Sequence, residues 1–495
     1  NTANNHGGGV FATGVGSVLN MIGGKISSNR AGAEGGGVRN NNGGIFTVTG
    51  GEISNNTAGS IGGGVRIATN TTTFIVQGGN IISNTAGTDG GGIHFGGASF
   101  TMQGGEISNN TAGRNSGGVR VSSGEFTMTN GKVSGNRAIE TDGGGVLVTG
   151  AETIFTMTNS EISGNTAGRN SGGVHVSGSR SSMNNSKINN NTAGNDGGGL
   201  LVTGAESVFT MTNSEIIGNT AGRNSGGVRV SNGEFTMTNG KVSGNRAIET
   251  DGGGVLVTGA ETIFTMTNSE ISGNTAGRNS GGVHVASGSR LAMSNSKINN
   301  NTAGNDGGGL LVTGTGTIFT MTNSEISGNT AGRNSGGVHV ASNGCTMTNS
   351  KIIGNTAAND GGGVLVSGEG SVFTMTSGEI SGNTAGRHGG AIRRANGEVN
   401  INGGVVFGTG ANIAAVVSGA HNLNAGDASA HNNAVIIAWN KPAAETPLNY
   451  TESANTHLTV LPSEGAAAVW SVHNGVLGIS YRNGGNVGFI PAAAK

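Results

Sequence analysis

The sequence predicts an all-β protein: a right-handed parallel β-helix solenoid of about 15 coils, with three strands per coil and a small β-rich C-terminal domain. Three observations predict it: a repeat of about 27 residues, short segments in which apolar and polar residues alternate, and glycine at 100 of 495 positions. A fixed period indicates a repeat architecture, and alternation with a period of two is typical of strands. The turns are too short for crossover helices, so each strand should stack on its equivalent in the next coil, about 4.8 Å away. Right-handedness follows the general preference of parallel crossovers.

Each repeat is marked by an aliphatic residue after a glycine cluster. A longer unit of about 109 residues is superposed, because residues 114–142 return almost unchanged as 223–251. In the repeat that begins at Gly143, the predicted strands are Val146–Val148, Phe155–Thr158 and Glu161–Ser163. Stacking brings identical side chains into columns, so the inward apolar residues should form one core. The marker residues, spaced by 26 to 28 positions, are Val10, Val38, Val65, Ile93, Val119, Val146, Val174, Leu200, Val228, Val255, Val283, Leu310, Val338, Val364 and Ile392.

An asparagine recurs four residues after the start of the third strand. An inward amide at a corner can bond both the corner backbone and the amide of the next coil, so these residues should form a structural ladder. The ladder includes Asn136, Asn165, Asn191, Asn219, Asn245, Asn274, Asn301 and Asn329.

The outward position that opens the third strand alternates in charge, which predicts a second ladder. Slipping by one coil would set like charges face to face, so the alternation should fix the register. Its members are Glu106, Lys132, Glu161, Lys187, Glu215, Lys241, Glu270, Lys297, Glu325, Lys351 and Glu379.

Near the glycine corner, arginines such as Arg169 alternate with aspartates such as Asp142. We expect them to pair. Calcium binding is the alternative, but aspartates in alternate coils would lie about 10 Å apart, too far to share one ion. We therefore expect no metal site and no cofactor.

Two outward rows are candidate contact surfaces. Leucine occupies every second coil of the first strand, which predicts a contact with another molecule if the row is exposed; the alternative is that loops or neighbouring side chains cover it. The second strand carries a Thr-x-Thr array, as at Thr265 and Thr267, similar to the ice-binding face of β-helical antifreeze proteins. It is interrupted by Ser182 and Asn184. The leucine row of the first strands consists of Leu147, Leu201, Leu256, Leu311 and Leu365.

Two short motifs carry a family resemblance. Ile162-Ser-Gly-Asn165 and Gly172-Gly173-Val174 resemble the paired FxxN and GGAI repeats of polymorphic outer-membrane proteins, and more broadly the right-handed parallel β-helix passengers of bacterial surface adhesins. The resemblance covers about residues 1–402. It departs from that family in having Ile or Val where Phe is usual and in lacking, within these 495 residues, an autotransporter barrel. It implies an extracellular, surface-displayed stalk or adhesin.

Composition argues against several other classes. Net charge is -1 and only 11% of residues are charged, so nucleic acid is not an expected partner. No apolar run reaches about 18 residues, so we expect no transmembrane segment, and the single Cys345 cannot support a disulfide framework. Polysaccharide lyases and hydrolases of this fold need long loops that form a cleft, whereas coil length here varies by only two residues. We therefore expect no enzyme and no catalytic residues.

Two domains are predicted: a parallel β-helix at 1–402 and a β-rich cap or assembly domain at 403–495, where all four prolines lie. Strands are expected at 435–439, 458–461, 468–472 and 476–481, with a hairpin turn at 473–475. The first residues, Asn1, Thr2 and Ala3, match the middle of a repeat. Either upstream coils are missing, or another subunit completes the edge, which makes these residues a candidate interface.

Together these features predict an extracellular structural protein: a rigid β-helical rod that forms or decorates a cell-surface filament, layer or adhesive stalk, with head-to-tail assembly as one route. Expected partners are copies of itself or other surface proteins, with a glycan as a further one. The alternative is a monomeric adhesin that binds a host or glycan surface, followed by an ice-binding protein and a polysaccharide lyase or hydrolase.

Overall fold

The computed structural model describes residues 1–41, 43–342, 344–401, 404–408, 434–437, 459–460, 468–473, 476–483 and 486–491. In this part of the chain the regular structure is β, and no helix able to span a membrane was found. The protein is an all-β parallel solenoid of about 15 coils. It divides into two compact units, the first Asn1–Gly277 and the second Arg278–Lys495.

Every coil begins with a first strand that follows the glycine corner. In the first unit these strands are Val10–Thr13, Val38–Asn41, Val65–Ile67, Ile93–Phe95, Val119–Val121, Val146–Thr149, Val174–Ser177 and Val255–Thr258. In the second unit they are Val283–Ala286, Leu310–Thr313, Val338–Val340, Val364–Val366 and Ile392–Arg394.

The second strand carries the Phe-x-Met pattern. In the first unit these strands are Val18–Met21, Ile45–Val48, Thr73–Val76, Ser99–Met102, Glu125–Thr129, Ile154–Thr158, Arg180–Asn184 and Ile263–Thr267. In the second unit they are Arg290–Ser294, Ile318–Thr322, Gly344–Thr348, Val372–Met375 and Glu398–Ile401. In coils eight and nine the first and second strands are continuous, as Leu200–Thr212 and Val228–Thr238.

The third strand carries the alternating charges. In the first unit these strands are Lys25–Ser27, Glu52–Ser54, Asn80–Ile82, Glu106–Ser108, Lys132–Ser134, Glu161–Ser163, Lys187–Asn189, Glu215–Ile217, Lys241–Ser243 and Glu270–Ser272. In the second unit they are Lys297–Asn299, Glu325–Ser327, Ser350–Ile353, Gly378–Ala385 and Gly404–Gly408.

A fourth, two-residue strand follows the ladder asparagine, which the prediction of three strands per coil missed. Its backbone bonds to the preceding coil: Thr192 N donates to Asn165 O at 2.8 Å, and Gly194 N donates to Ala167 O at 3.0 Å. These strands are Thr2–Ala3, Arg30–Ala31, Thr57–Ala58, Thr85–Ala86, Thr111–Ala112, Arg137–Ala138, Thr166–Ala167, Thr192–Ala193, Thr220–Ala221, Arg246–Ala247 and Thr275–Ala276, then Thr302–Ala303, Thr330–Ala331 and Thr356–Ala357.

Strands pair in parallel with their counterparts one coil along, and equivalent residues face each other. Val146 pairs with Val174, and Glu161 pairs with Lys187. This register stacks the core side chains into columns. In the first unit the rings of Phe46, Phe74, Phe100 and Phe126 are stacked with centroids 4.3 to 5.0 Å apart. All four rings are fully buried.

The glycine corner is required by close approach of neighbouring coils. A Cβ added to Gly172 would lie 2.5 Å from the backbone N of Thr192, and one added to Gly173 would lie 2.4 Å from the carbonyl oxygen of Gly199. Neither position has space for a side chain. Glycine therefore lets successive corners stack at strand spacing.

The asparagine ladder runs through the interior of each unit. Asn191 shows its geometry: Oδ1 accepts from both the backbone N and Nδ2 of Asn165 at 2.9 Å, while Nδ2 donates to Ile162 O and to Asn219 Oδ1 at 3.0 Å. In the first unit the side-chain bonds continue through Asn136, Asn165, Asn191, Asn219, Asn245 and Asn274. In the second unit they join Asn301, Asn329, Asn355 and Asn383. Each amide thus satisfies buried polar groups of two neighbouring coils.

Beyond residue 402 the described strands lie in two groups. Gly404–Gly408 pairs in parallel with Gly378–Ala385 and with Ala434–Ile437, and Ala434–Ile437 pairs antiparallel with Thr459–Val460. Ala468–His473 and Val476–Asn483 form the antiparallel pair expected of the predicted hairpin. A third strand, Asn486–Pro491, was not predicted. The turn residues Asn474 and Gly475, and most of the predicted cap domain, lie outside the described residues.

Replacing one ladder amide should be costly. Asn191→Ala removes the buried acceptor of Asn165 N and Nδ2 and the side-chain donor to Ile162 O, and we expect it to lower the free energy of unfolding by about 3 kcal/mol. Urea denaturation followed by circular dichroism measures the change.

The matched control is Asn184→Ala, which removes an exposed amide from a second strand. It should change the free energy of unfolding by less than about 0.5 kcal/mol. Equal effects of the two substitutions would contradict the ladder's role.

Candidate functional site

The row of leucines on the first strand is buried, so the expectation of an exposed apolar surface is wrong. Leu147, Leu201, Leu256, Leu311 and Leu365 are only 3 to 7% exposed. The alternative prediction, that neighbouring groups cover the leucines, is confirmed. The glycine corner folds back over the row: a Cβ added to Gly143 would lie 2.8 Å from the Cβ of Leu147. In the sheet, Leu201 lies between His175 and Arg229.

Charged side chains beside the leucines form a column at the glycine corner. Asp142 Oδ1 accepts hydrogen bonds from the backbone N and Nδ2 of Asn170 at 3.2 and 3.0 Å. The same carboxylate lies 3.4 Å from Arg169 Nε and 3.7 Å from His175 Nδ1. This corner column contains the predicted aspartate–arginine pairing. Asp306 and Arg333 form an equivalent corner pair. Asp89 and Asp196 instead contact Arg120 and Arg229, which lie in the same first-strand row as the leucines.

Four histidines lie in the same row as the leucines and are almost completely buried: His94, His175, His284 and His339. Burial lowers the pKa of His175 to about 4, against the opposing effect of Asp142. Burial likewise lowers the pKa of His339 to about 4, and that of His94 falls well below its usual value. The imidazoles of His94, His175 and His339 are therefore neutral near pH 7.

Three of these histidines contact a hydroxyl in the next coil. His175 Nε2 lies 3.0 Å from Thr203 Oγ1, and His284 Nε2 lies 2.9 Å from Thr313 Oγ1. His339 Nε2 lies 2.8 Å from Ser367 Oγ. An acidic residue, an imidazole and a hydroxyl in this order resemble a hydrolytic triad. An imidazole with a pKa of about 4 is a poor general base at neutral pH, because base catalysis is most efficient near the operating pH.

The charge ladder is in register within each unit, but its contacts run mainly from lysine to the following glutamate. Nζ to Oε2 distances are 3.0 Å for Lys187–Glu215, 3.8 Å for Lys241–Glu270 and 3.6 Å for Lys351–Glu379. Glu106, Glu325 and Glu379 also accept a hydrogen bond from a serine on a third strand. Since the charged groups are 36 to 59% exposed, each pair contributes about 1 kcal/mol at most. Lys132 and Glu161 are paired residues in the sheet, as are Lys297 and Glu325.

The threonine array lies on the second strands. Thr156 and Thr158 are half-buried, and their sheet partners in the next coil are Ser182 and Asn184. In the second unit Thr348 and Thr376 hydroxyls are 2.8 Å apart. The array is thus a polar face whose hydroxyls partly bond one another.

The predicted interface residues at the start of the chain lie in the first described coil. Thr2–Ala3 pairs with Arg30–Ala31, and Asn1 Nδ2 donates to Asn29 Oδ1 at 3.0 Å. Asn1 and Thr2 are exposed, and Ala3 is partly exposed.

Sequence analysis missed a serine ladder. Ser160 N donates to Ser186 Oγ at 3.1 Å, and Ser186 N donates to Ser214 Oγ at 3.0 Å. The Asn-Ser that precedes seven of the eleven charged ladder residues could have indicated it, because both are common turn residues that hydrogen-bond local backbone. Cys345 also has a structural role that the sequence patterns do not predict. It occupies a phenylalanine position in the core, where burial raises the pKa of its thiol.

A notch interrupts the corner between the first and second strands in the first unit. Sheet register shows the cause: Ser231 and Glu234 of coil nine face Thr258 and Ile263 of coil ten, so coil nine has two residues fewer at this corner. Coil eight is also longer there, since the register shifts between Thr203 and Ser207. Two long corners therefore flank a short one.

The notch has a volume of about 380 Å³, within the range of small-ligand sites. Glu234 on the floor and Glu261 on one wall are exposed, and Glu261 adopts a φ of 62°, unusual for a residue with a side chain. No group of three or more His, Cys, Asp or Glu side chains suited to a metal ion occurs among the described residues. The notch is lined by Ala205, Ser207, Val208, Asn232, Gly233, Glu234, Ala260, Glu261 and Ile263.

Comparison with known proteins supports the fold. The family described as right-handed β-helix region matches residues 144–319. No curated protein and no solved structure matched the chain. Together with the stacked coils, the family match identifies a β-helix repeat protein.

The buried histidines predict a pH dependence of stability. Their pKa in the folded state lies below that of the unfolded chain, near 6.5, so the unfolded state binds more protons between pH 6.5 and 4. Their contribution is fully present above pH 6.5 and should be lost as the pH falls towards 4. Urea midpoints at pH 7, 6, 5 and 4 measure it.

The variant His175→Leu/His339→Leu places at each site the residue that neighbouring coils carry in this row, and should weaken the dependence between pH 6.5 and 4. Asn184→Ala, which leaves every histidine in place, should keep the dependence of the natural chain. A double variant with an unchanged pH dependence would contradict this account.

Proposed function

We propose that this chain is an extracellular structural protein without enzymatic activity, whose β-helical coils form or decorate a cell-surface filament, layer or adhesive stalk. The observation that carries the proposal is the buried asparagine ladder, as in the bonds from Asn165 through Asn191 to Asn219. Each interior coil is tied to both neighbours by polar bonds shielded from water, where hydrogen bonds are stronger than at the surface. Such coils resist local opening, which suits a filament or stalk that is under mechanical tension.

The chemistry of the exterior supports the same role. The third strands carry both signs of charge and the second strands carry threonine, so these faces stay hydrated.

The imidazoles next to carboxylates, as at His175 and His339, are buried and have a low pKa. The resemblance of the repeat motifs to surface adhesin passengers favours an extracellular location. Partners on this proposal are further copies of the chain or other surface proteins.

Electron microscopy of the full chain over a concentration series, with light scattering for mass, tests the proposal. We expect regular filaments or sheets that grow with concentration. Monomers at every concentration would overturn the filament and layer roles, and release of unsaturated sugars from a panel of polysaccharides would overturn a purely structural one.

The ladder provides a matched pair of variants for this experiment. Asn191→Ala weakens the interior of one coil and should reduce the yield of ordered assemblies, whereas Asn184→Ala should leave it unchanged. Loss of assemblies in both variants would indicate that assembly depends on the second-strand surface and not on the stiffness of the coils.

A further inference from the structure

We propose that two short segments of the first unit form a side-by-side contact with a second copy of this chain, and that the two copies lie parallel and in register. Both segments read Arg-Ala-Ile-Glu, at 137–140 in coil five and at 246–249 in coil nine. Each begins on a two-residue fourth strand. The inference rests on the proposed function, since it names the partner and the geometry of one contact in the assembly.

Each segment places an exposed isoleucine in a row of glycines. Ile139 is 46% exposed and Ile248 is 45% exposed. Backbone bonds show the equivalent positions: Ile139 in coil five, Gly113 in coil four and Gly168 in coil six each donate to the fourth-strand alanine of the preceding coil. Glycine is sufficient for the fold at this position, so packing within the unit does not explain the isoleucines. Covering them with a second copy would remove apolar surface from water, which is favourable.

Charged side chains flank the isoleucine in a fixed order. Arg137 lies in a row of threonines, since its sheet partners are Thr111 and Thr166. Arg137 and Ile139 point to the same outer side, because they are two residues apart and the alanine between them is buried. Glu140 follows and is exposed. Along each segment the outer surface is therefore basic, then apolar, then acidic.

This order of charges is complementary to itself in a parallel pair. A two-fold axis parallel to the solenoid axis reverses the direction of the segment and keeps it at the same coil. Arg137 of one copy then faces Glu140 of the other, and the two Ile139 side chains meet between these ion pairs. A two-fold axis perpendicular to the solenoid axis would instead set coil five against coil nine, so that Arg137 would face Arg246. Charge complementarity thus selects the parallel pair.

Coils five and nine provide two such contacts to one pair, about 19 Å apart at strand spacing. Arg137, Glu140, Arg246 and Glu249 are all exposed, and none of them forms an ion pair among the described residues. Their charges are therefore available to a second copy. Exposed ion pairs are weak, so we expect a dissociation constant of about 0.1 mM for the isolated pair. Many copies in one assembly would strengthen the contact by avidity.

Cysteine cross-linking of the full chain tests the orientation. Ile139→Cys and Ile248→Cys should each form a disulfide-linked dimer on mild oxidation, because a parallel pair sets each residue against its own copy. Linkage should be about 10-fold faster than for Asn184→Cys, an exposed position on a second strand, since pairing raises the effective thiol concentration. The natural Cys345 is buried and should not react. Non-reducing gel electrophoresis measures the dimer.

Substitutions test the chemistry of the contact by sedimentation equilibrium. Ile139→Gly/Ile248→Gly installs the residue of the neighbouring coils and should weaken pairing about 10-fold. The matched control is Ile154→Thr, which removes a 43% exposed isoleucine from a second strand and should change pairing less than about 2-fold.

Charge reversal provides a rescue that a folding defect would not show. Glu140→Arg/Glu249→Arg sets arginine against arginine and should abolish pairing. Adding Arg137→Glu/Arg246→Glu restores opposite charges and should restore pairing. Absence of rescue would contradict the assigned charge contacts.

Two results would overturn the parallel pair. One is cross-linking of Ile139→Cys and Ile248→Cys no faster than that of Asn184→Cys. The other is linkage only in a mixture of the two isoleucine variants, which would indicate an antiparallel pair. Electron microscopy distinguishes this inference from the proposed function. Unpaired single filaments would contradict the side contact and support the filament role, whereas linked pairs without larger assemblies would do the reverse.

Discussion

The structure depends on one constraint: each side chain must be compatible with its own copy one strand spacing away. For apolar residues this is easily met, and phenylalanine rings stack in the core of the first unit. For a buried polar residue it is demanding, because most side chains cannot bond their own copy in both directions. Asparagine can, since its amide carries a donor and an acceptor. The ladder around Asn191 uses both, and also bonds the carbonyl oxygen of Ile162.

The same constraint explains why charges alternate. A carboxylate above a carboxylate would be repulsive, so the glycine-corner column and the third-strand column place opposite or neutral groups in successive coils. At the glycine corner, Asp142 is followed by Asn170 and then by Asp196. On the third strands Lys187 is followed by Glu215. Glu234 on the second strand follows the same rule, since its sheet partners are Val208 and Ile263.

The coils, the strand register and the asparagine ladder could be predicted from the sequence because these features repeat with the period. Features that depend on how a corner folds could not be predicted in this way. The row that contains Leu147 was assigned to the exterior from strand alternation, but the corner at Gly143 covers it. Thr192–Ala193 is too short for alternation to be visible. The notch arises from corners that differ by two residues, a difference hidden within the small variation in coil length.

The near-identity of residues 114–142 and 223–251 has a consequence for how this chain can change in length. Both segments lie in the first unit, and their third strands, Lys132–Ser134 and Lys241–Ser243, occupy the same place in the two copies. A deletion that joined Gly113 directly to Arg223 would present each coil edge with almost the same partner residues as before, so every column would close again. Unequal crossing-over between such copies would yield shorter or longer alleles in steps of about 109 residues, and folding would impose little selection against them.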